Sequence, residues 1–362
     1  MPFYPQGKTS LARSLLNFPG RYAWCIMESV GAINLLYILW HNQHHQTNNG
    51  NGDGNGIPIL SHFQTVQSLP TWHKVLIALY VLHYLNRAII TPLFLAPSMS
   101  PIHLVIILSA MSFNYLNSSC LASWLLGYEV PVTSSAHTYT YQSSKTRHPL
   151  MSELNNYLPY IGLVLFTVGM YGNIRSENTL FKLRREEAHR LEAARRRGDN
   201  KHSQSRSRSQ SQSQSKDVQP TRKSIYDKVY IIPPPTGYFR SILFPHYVYE
   251  WLEWAGFLLI GFSIAPYASG AEFDGTRDAF TGAKAVPLAS YYAPLADFLI
   301  NKCGLSFPLP AIAFFVNGVV ATSPRASWGR RWYVDRFGKK AVAGRGSVIP
   351  YFKWIWRGVG GI

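Results

Sequence analysis

Apolar residues gather into long uninterrupted runs separated by strongly polar connectors. Six runs approach or exceed the roughly 17–25 residues that cross a hydrocarbon core: Ala23–Trp40, Trp72–Leu95, Ile102–Leu126, Leu158–Gly172, Val248–Ser269 and Phe307–Thr322. The pattern predicts an all-α fold, a polytopic membrane helical bundle of about six transmembrane helices. Between the first two runs lies "NQHHQTNNGNGDGNG", a Gly/Asn tract suited only to a flexible loop. A second tract, "KHSQSRSRSQSQSQSKD", has too little apolar surface to fold. Just before it, "RREEAHRLEAARRR" spaces acids and bases for helical pairing, and reads as a cytosolic extension of the fourth helix. The organisation expected is a cytosolic N-terminal segment (1–22), a first part of the bundle (23–184), a basic disordered insertion (185–229) and a second part with a cytosolic tail (230–362).

Charge then orients the bundle. Three basic residues precede the first run, none lies between His41 and Pro70, sixteen fall between Arg175 and Tyr247, and nine follow Ser323. Basic residues concentrate on cytosolic segments, so both termini and the long connector are placed in the cytosol. The net charge of +17 is mainly this orientation signal, and nucleic-acid binding, the other reading of such a balance, fits poorly with six spans. The Arg/Ser alternation reads as a solvated tether, with phosphorylation the competing reading. Three cysteines without CxxC spacing exclude a disulfide framework. "MPFYPQGKTSLARSLLNFPG" offers no cleavable signal, so the first run is expected to act as an uncleaved anchor.

Chemistry-bearing residues interrupt these runs. "HNQHH" at His41–His45 has the HxxHH spacing of membrane di-iron oxygenases, but one such box on the non-cytosolic side argues for no metal. "VLHYLNRAIITPLF" places His83, Tyr84 and Arg87 on one helical face. The structural alternative is an Arg that snorkels and a Tyr at the interface. Glu28 lies inside the first run, where a carboxylate must pair, neutralise or line water. "YGNIRSENTLFKLR" offers Asn173, Glu177 and Arg184 along one face. "FPHYVYEWLEWAGF" brings His246, Glu250 and Glu253 to the entry of a span, and the tail from Ser323 is rich in Arg and aromatic residues. Nearly all these groups sit near cytosolic ends of spans. That suits a polyanionic soluble cofactor meeting a lipophilic substrate: Arg supplies bidentate phosphate contacts, and carboxylates accept from hydroxyl and amide groups.

The residues then match a known pattern. "HYLNRAIITPLF", "GNIRSENTLFKLR", "YIIPPPTGYFRSILFPHYVYEWLEW", "RASWGRRWYVDRFG" and "RGSVIPYF" occur in the order of the motifs of the steroid 5α-reductase family, and the chain resembles that family from about Arg21 to Trp354. The resemblance implies an endoplasmic-reticulum membrane enzyme that uses NADPH to reduce a carbon–carbon double bond conjugated to a carbonyl. It implies Glu28 and Tyr84 at the substrate carbonyl. Around NADPH it implies Asn114, Asn173, Glu177, Arg184, Tyr230, His246, Glu250, Arg325 and Tyr333, with Arg87 and Arg345 as further candidates. The chain departs from the pattern at Glu177, where Asp is usual, at His246, where the steroid enzymes carry Asn, and at Gly329, where His is expected. The family's first span has no counterpart, the first run here corresponding to its second.

The chemistry implied is hydride addition to the β-carbon, with Tyr84 hydrogen-bonding the carbonyl oxygen and Glu28 holding Tyr84. The partners expected are a lipophilic enone from the bilayer, sterol-like or polyprenoid, and membrane lipids, with no nucleic acid and no metal. Two alternatives stand beside this reading: trans-2-enoyl-CoA reduction in fatty-acid elongation, and a catalytically inactive lipid-binding or scaffold protein.

Overall fold

The computed structural model describes residues 14–47, 69–126, 149–206, 229–264 and 305–349, together with Ser10 and the short pieces 133–134, 137–138, 225–226, 294–295, 298–299 and 303. The Gly/Asn tract from residue 48 on, most of the Ser/Arg/Gln tract and the end of the tail lie outside the described residues, whereas residues 42–47, expected in a flexible loop, continue the first helix. Long helices follow the apolar runs: α1 (Gly20–Thr47), α2 (Thr71–Tyr84), α3 (Leu104–Leu125), α4 (Pro149–Arg206), α5 (Pro245–Ser263) and α6 (Leu309–Phe337). Among the described residues, four helical stretches are long and apolar enough to cross a membrane: Gly20–His41, Thr71–Leu95, Leu104–Leu125 and Asn156–Arg197. The protein is a helical membrane protein, and spans at α5 and α6 belong to the proposal below. The described strands are two-residue pieces; β1 (Asn17–Phe18) pairs antiparallel with β2 (Ile102–His103) beside the start of α1.

Two features depart from the sequence reading. The second run is not one α-helix: at Leu85 it becomes a π-helical segment that continues to Leu95. Pro92 lies inside it and has no N–H for the helical ladder; at its end Ala96 N donates to Thr91 O at 2.9 Å, an i→i−5 bond. α4, in turn, runs on as a helix to Arg206, into the first residues of the tract expected to be disordered. Lys182–Glu186, Glu187–Arg190 and Glu192–Arg196 supply i,i+3 and i,i+4 pairs along this polar extension.

The core forms where α2, α4, α5 and α6 meet. Tyr80, Phe166, Trp254, Phe257, Ile260 and Phe314 are buried there, with Trp254 edge-on to Phe314 at 4.5 Å between centroids. α4 and α5 approach closely because glycines line their contact. A Cβ on Gly162 would meet Gly256 O at 2.6 Å, and one on Gly169 would strike the backbone of Glu253. In lipid, small residues at such a contact let dispersion replace the missing hydrophobic drive. α1 is fixed to α3 by Asn34, whose side-chain amide reaches Ser118 Oγ at 2.8 Å and Ser119 Oγ at 2.9 Å.

Candidate functional site

The close glycine contact between α4 and α5 brings Glu177 and Glu250 to the same end of the bundle as the start of the π segment. Arg87, on that segment, lies at the centre. Its charge interacts with Glu250 of α5, Glu28 of α1 and Glu177 of α4. Glu28 is also within electrostatic reach of His83 and of Arg325 on α6. Among the described residues none of these carboxylates makes a direct ion pair with Arg87. The charges therefore influence one another without direct pairing. The Arg87 guanidinium stands over the Trp24 ring at 5.0 Å, and Trp24 Nε1 donates to Arg87 O at 3.2 Å. Arg87 thus lies over an aromatic face within electrostatic reach of three carboxylates. A π-helical turn at this point matches the frequent use of such turns at functional sites.

Tyr84 closes one wall. It is buried, and its hydroxyl donates to Asn114 Oδ1 over a long 3.5 Å. Asn114 is held in turn by its amide, which donates to Met27 O at 2.8 Å. Asn114 is thus a polar partner of Tyr84, the Tyr80 hydroxyl also interacts with it, and Glu28 acts on it through its charge. Gly31, one turn beyond Glu28, lets α1 approach this wall: a Cβ there would meet Tyr80 Oη at 2.9 Å and the Tyr84 ring at 3.2 Å. From α5, Glu250 Oε2 and His246 Nδ1 are buried atoms without a hydrogen-bond partner among the described residues.

Other expected residues are placed differently. Asn173 is buried on α4 one turn before Glu177, where its carbonyl accepts from Ser176 Oγ at 3.0 Å. Arg184 is tied to the connector after the π segment, donating to Ser98 Oγ at 2.7 Å and Ser98 O at 3.2 Å, and to Tyr226 O at 3.2 Å. Arg345 is buried, and its guanidinium donates to the carbonyls of Pro233 (2.8 Å), Phe239 (3.1 Å), Val342 (3.1 Å) and Ala341 (3.4 Å). In this arrangement it staples the tail to the 233–239 segment. Tyr230 is exposed, edge-on to Trp332 at 5.0 Å, with Arg336 4.7 Å over its ring.

Tyr333 stacks on Phe244 at 5.9 Å, and burial pushes its hydroxyl up to about 12, with Arg345 pulling the other way. Gly329 has a packing reason: a Cβ there would run into the end of the Phe244 ring.

One polar pair escaped the sequence reading. His83 Nδ1 and Glu253 Oε1 are 2.8 Å apart, both buried, and Glu253 Oε2 has no hydrogen-bond partner among the described residues. Both residues stood out as polar groups within apolar runs, but nothing in the sequence joins them. Among the described residues no cluster of His, Cys, Asp and Glu is arranged to hold a metal ion.

No family model matches the chain. It is 28% identical over 350 residues to an uncharacterized protein of Schizosaccharomyces pombe, a match that covers 96% of this chain and 90% of that one. It is 23% identical over 280 residues to the steroid 5-alpha-reductase DET2 of Arabidopsis thaliana, covering 75% of this chain and 67% of that protein. The second similarity is distant.

Proposed function

We propose that the protein is an NADPH-dependent reductase of the endoplasmic reticulum membrane that saturates a carbon–carbon double bond conjugated to a carbonyl in a sterol-like or polyprenoid lipid. The observation that carries this reading is the convergence of Glu28, Arg87, Glu177 and Glu250, from four helical segments, beside the buried Tyr84. The likeness to a steroid 5-alpha-reductase supports it. Six spans, with both termini in the cytosol, would bring the cofactor to this cluster from the aqueous side and the lipid from the bilayer.

The residues fit the cofactor. Glu250 Oε2 and His246 Nδ1, buried without partners among the described residues, would accept from amide and hydroxyl donors. Arg325 is exposed on α6 and Arg87 is half-buried on the π segment, so cationic groups are present for the phosphates. When bound, NADPH supplies a hydride to the β-carbon of the substrate. The chain supplies the rest. Tyr84 donates a hydrogen bond to the carbonyl oxygen as negative charge builds there, a contribution of about 10²–10³ in rate for one well-placed donor. To do so the single Tyr84 O–H leaves its acceptor in the free site, Asn114 Oδ1, for the substrate oxygen. Arg87 would set the local potential beside the reacting groups, next to the packed aromatic core around Trp254.

The test is the detergent-purified protein with NADPH and a panel of enones, polyprenals and trans-2-enoyl-CoA esters, following NADPH absorbance. Turnover on enones or polyprenals is expected. Turnover confined to the CoA esters would replace the reading with fatty-acid elongation, and absence of both turnover and NADPH binding would leave a lipid-binding scaffold.

A further inference from the structure

The His83–Glu253 pair is costly to keep in a membrane interior, where paired ionisable groups mark function more often than packing. Its geometry is that of a histidine prepared to move a proton. Nδ1 is engaged by a carboxylate at 2.8 Å, which fixes the ring and leaves Nε2 as the working nitrogen. The ring lies beside the proposed carbonyl donor, with centroids of His83 and Tyr84 5.3 Å apart. Other charges act on it: Glu28 from α1, Glu177 from α4, Glu250 from α5 and Arg87 from the π segment all interact with its charge. The reaction proposed above leaves one need unmet. After hydride addition, a proton must reach the α-carbon, the atom adjacent to the carbonyl that Tyr84 binds.

We propose that His83, held by Glu253, is the general acid that delivers this proton. The inference rests on the reductase reading. The step balances as follows. Dihydronicotinamide, the reductant, gives two electrons and a proton as hydride to the β-carbon, and the double-bond electrons move into an enolate. The enolate α-carbon then forms its C–H bond with the proton of His83 Nε2, whose N–H electron pair stays on the ring. Neutral His83 regains a proton from solvent on the cytosolic side. Glu253 favours the imidazolium that precedes the transfer and is a positioning residue.

Wild type, His83→Gln and Glu253→Gln are compared for enone turnover across pH, NADPH affinity by fluorescence titration, and intrinsic tryptophan fluorescence across pH. Trp254 lies 4.5 Å from the His83 ring, so its emission senses the charge on the imidazole without cofactor or substrate. His83→Gln is expected to lower turnover about 100-fold, within the usual range for a lost general acid, with NADPH affinity kept. The wild-type fluorescence titration should coincide with the fall in rate at alkaline pH and vanish in His83→Gln. In Glu253→Gln the alkaline fall in rate should move to lower pH, because the imidazolium loses its charged partner. Turnover in His83→Gln within about threefold of wild type, with the same pH profile, overturns the proposal, since Gln keeps a hydrogen bond but carries no transferable proton. Where His83→Gln does not fold, Glu253→Gln decides: a displaced profile supports the proposal and a coincident one overturns it. If wild type turns over no enone, the reductase reading itself fails, an outcome distinct from an active wild type that ignores His83.

Discussion

In Tyr84→Phe the ring keeps its contacts with Tyr80 and His83 and loses a single donor. Turnover on enones should fall by about tenfold or more while NADPH affinity stays nearly constant. Loss of cofactor binding in this variant would remove Tyr84 from the role given to it. Gly329→Ala probes the opposite face of the site. Its Cβ forces the Phe244 ring to move, and Tyr333, stacked on that ring, must follow. A fluorescence titration should show NADPH affinity weakened about fivefold, equivalent to ~1 kcal/mol of overpacking, with the KM for the enone unchanged.

Residue chemistry was partly legible in the sequence. Glu28, Arg87 and Glu250 announce themselves because charge within an apolar run is expensive unless it is used. The His83–Glu253 pair did not, because its members are 170 residues apart and only the fold joins them. Arg184 and Arg345 show the converse limit: residue type alone cannot reveal whether a guanidinium faces a ligand or, as here, backbone carbonyls.

Helical elements followed the apolar runs closely, since a span must satisfy its backbone internally and helix is the simplest way to do so. The π segment was invisible because apolar patterning does not encode i→i−5 bonding, and Pro92 signals only a disturbed ladder. The contact between α4 and α5 was equally silent, for its glycines acquire meaning only when backbones meet. Gly256→Val should therefore destabilise the protein by about 1–3 kcal/mol, the cost of overpacking a filled contact, read as a lowered midpoint of thermal unfolding in detergent. Gly318→Ala on α6 is the control. Nothing lies within 4 Å of a Cβ at that position, so the substitution should be neutral or stabilise by up to ~1 kcal/mol through helix propensity.

At the scale of the whole molecule, the distribution of basic residues predicts which loops face the cytosol. A glycosylation acceptor placed between His41 and Pro70 should be modified in a microsomal assay, while one placed in the Ser/Arg/Gln tract should not; the reverse result would invert the proposed orientation. The long-range architecture also converges on the exit of the π segment. Arg21 of α1 donates to Leu93 O, Ala96 O and Pro97 O at 3.3, 2.7 and 3.0 Å. From α4, Arg185 donates to Leu95 O and Arg184 to Ser98. Carbonyls at a helix end have no intrahelical donors, and cations there also favour the helix dipole.

Because separate segments of chain serve neighbouring carbonyls, this exit is insured against single losses. Arg21→Gln or Arg185→Gln alone should lower the unfolding midpoint only slightly, while the double variant should lose more than the sum of the two, as expected for groups sharing one network. Such redundancy would let mutations at one of these arginines persist without visible effect until a second one follows.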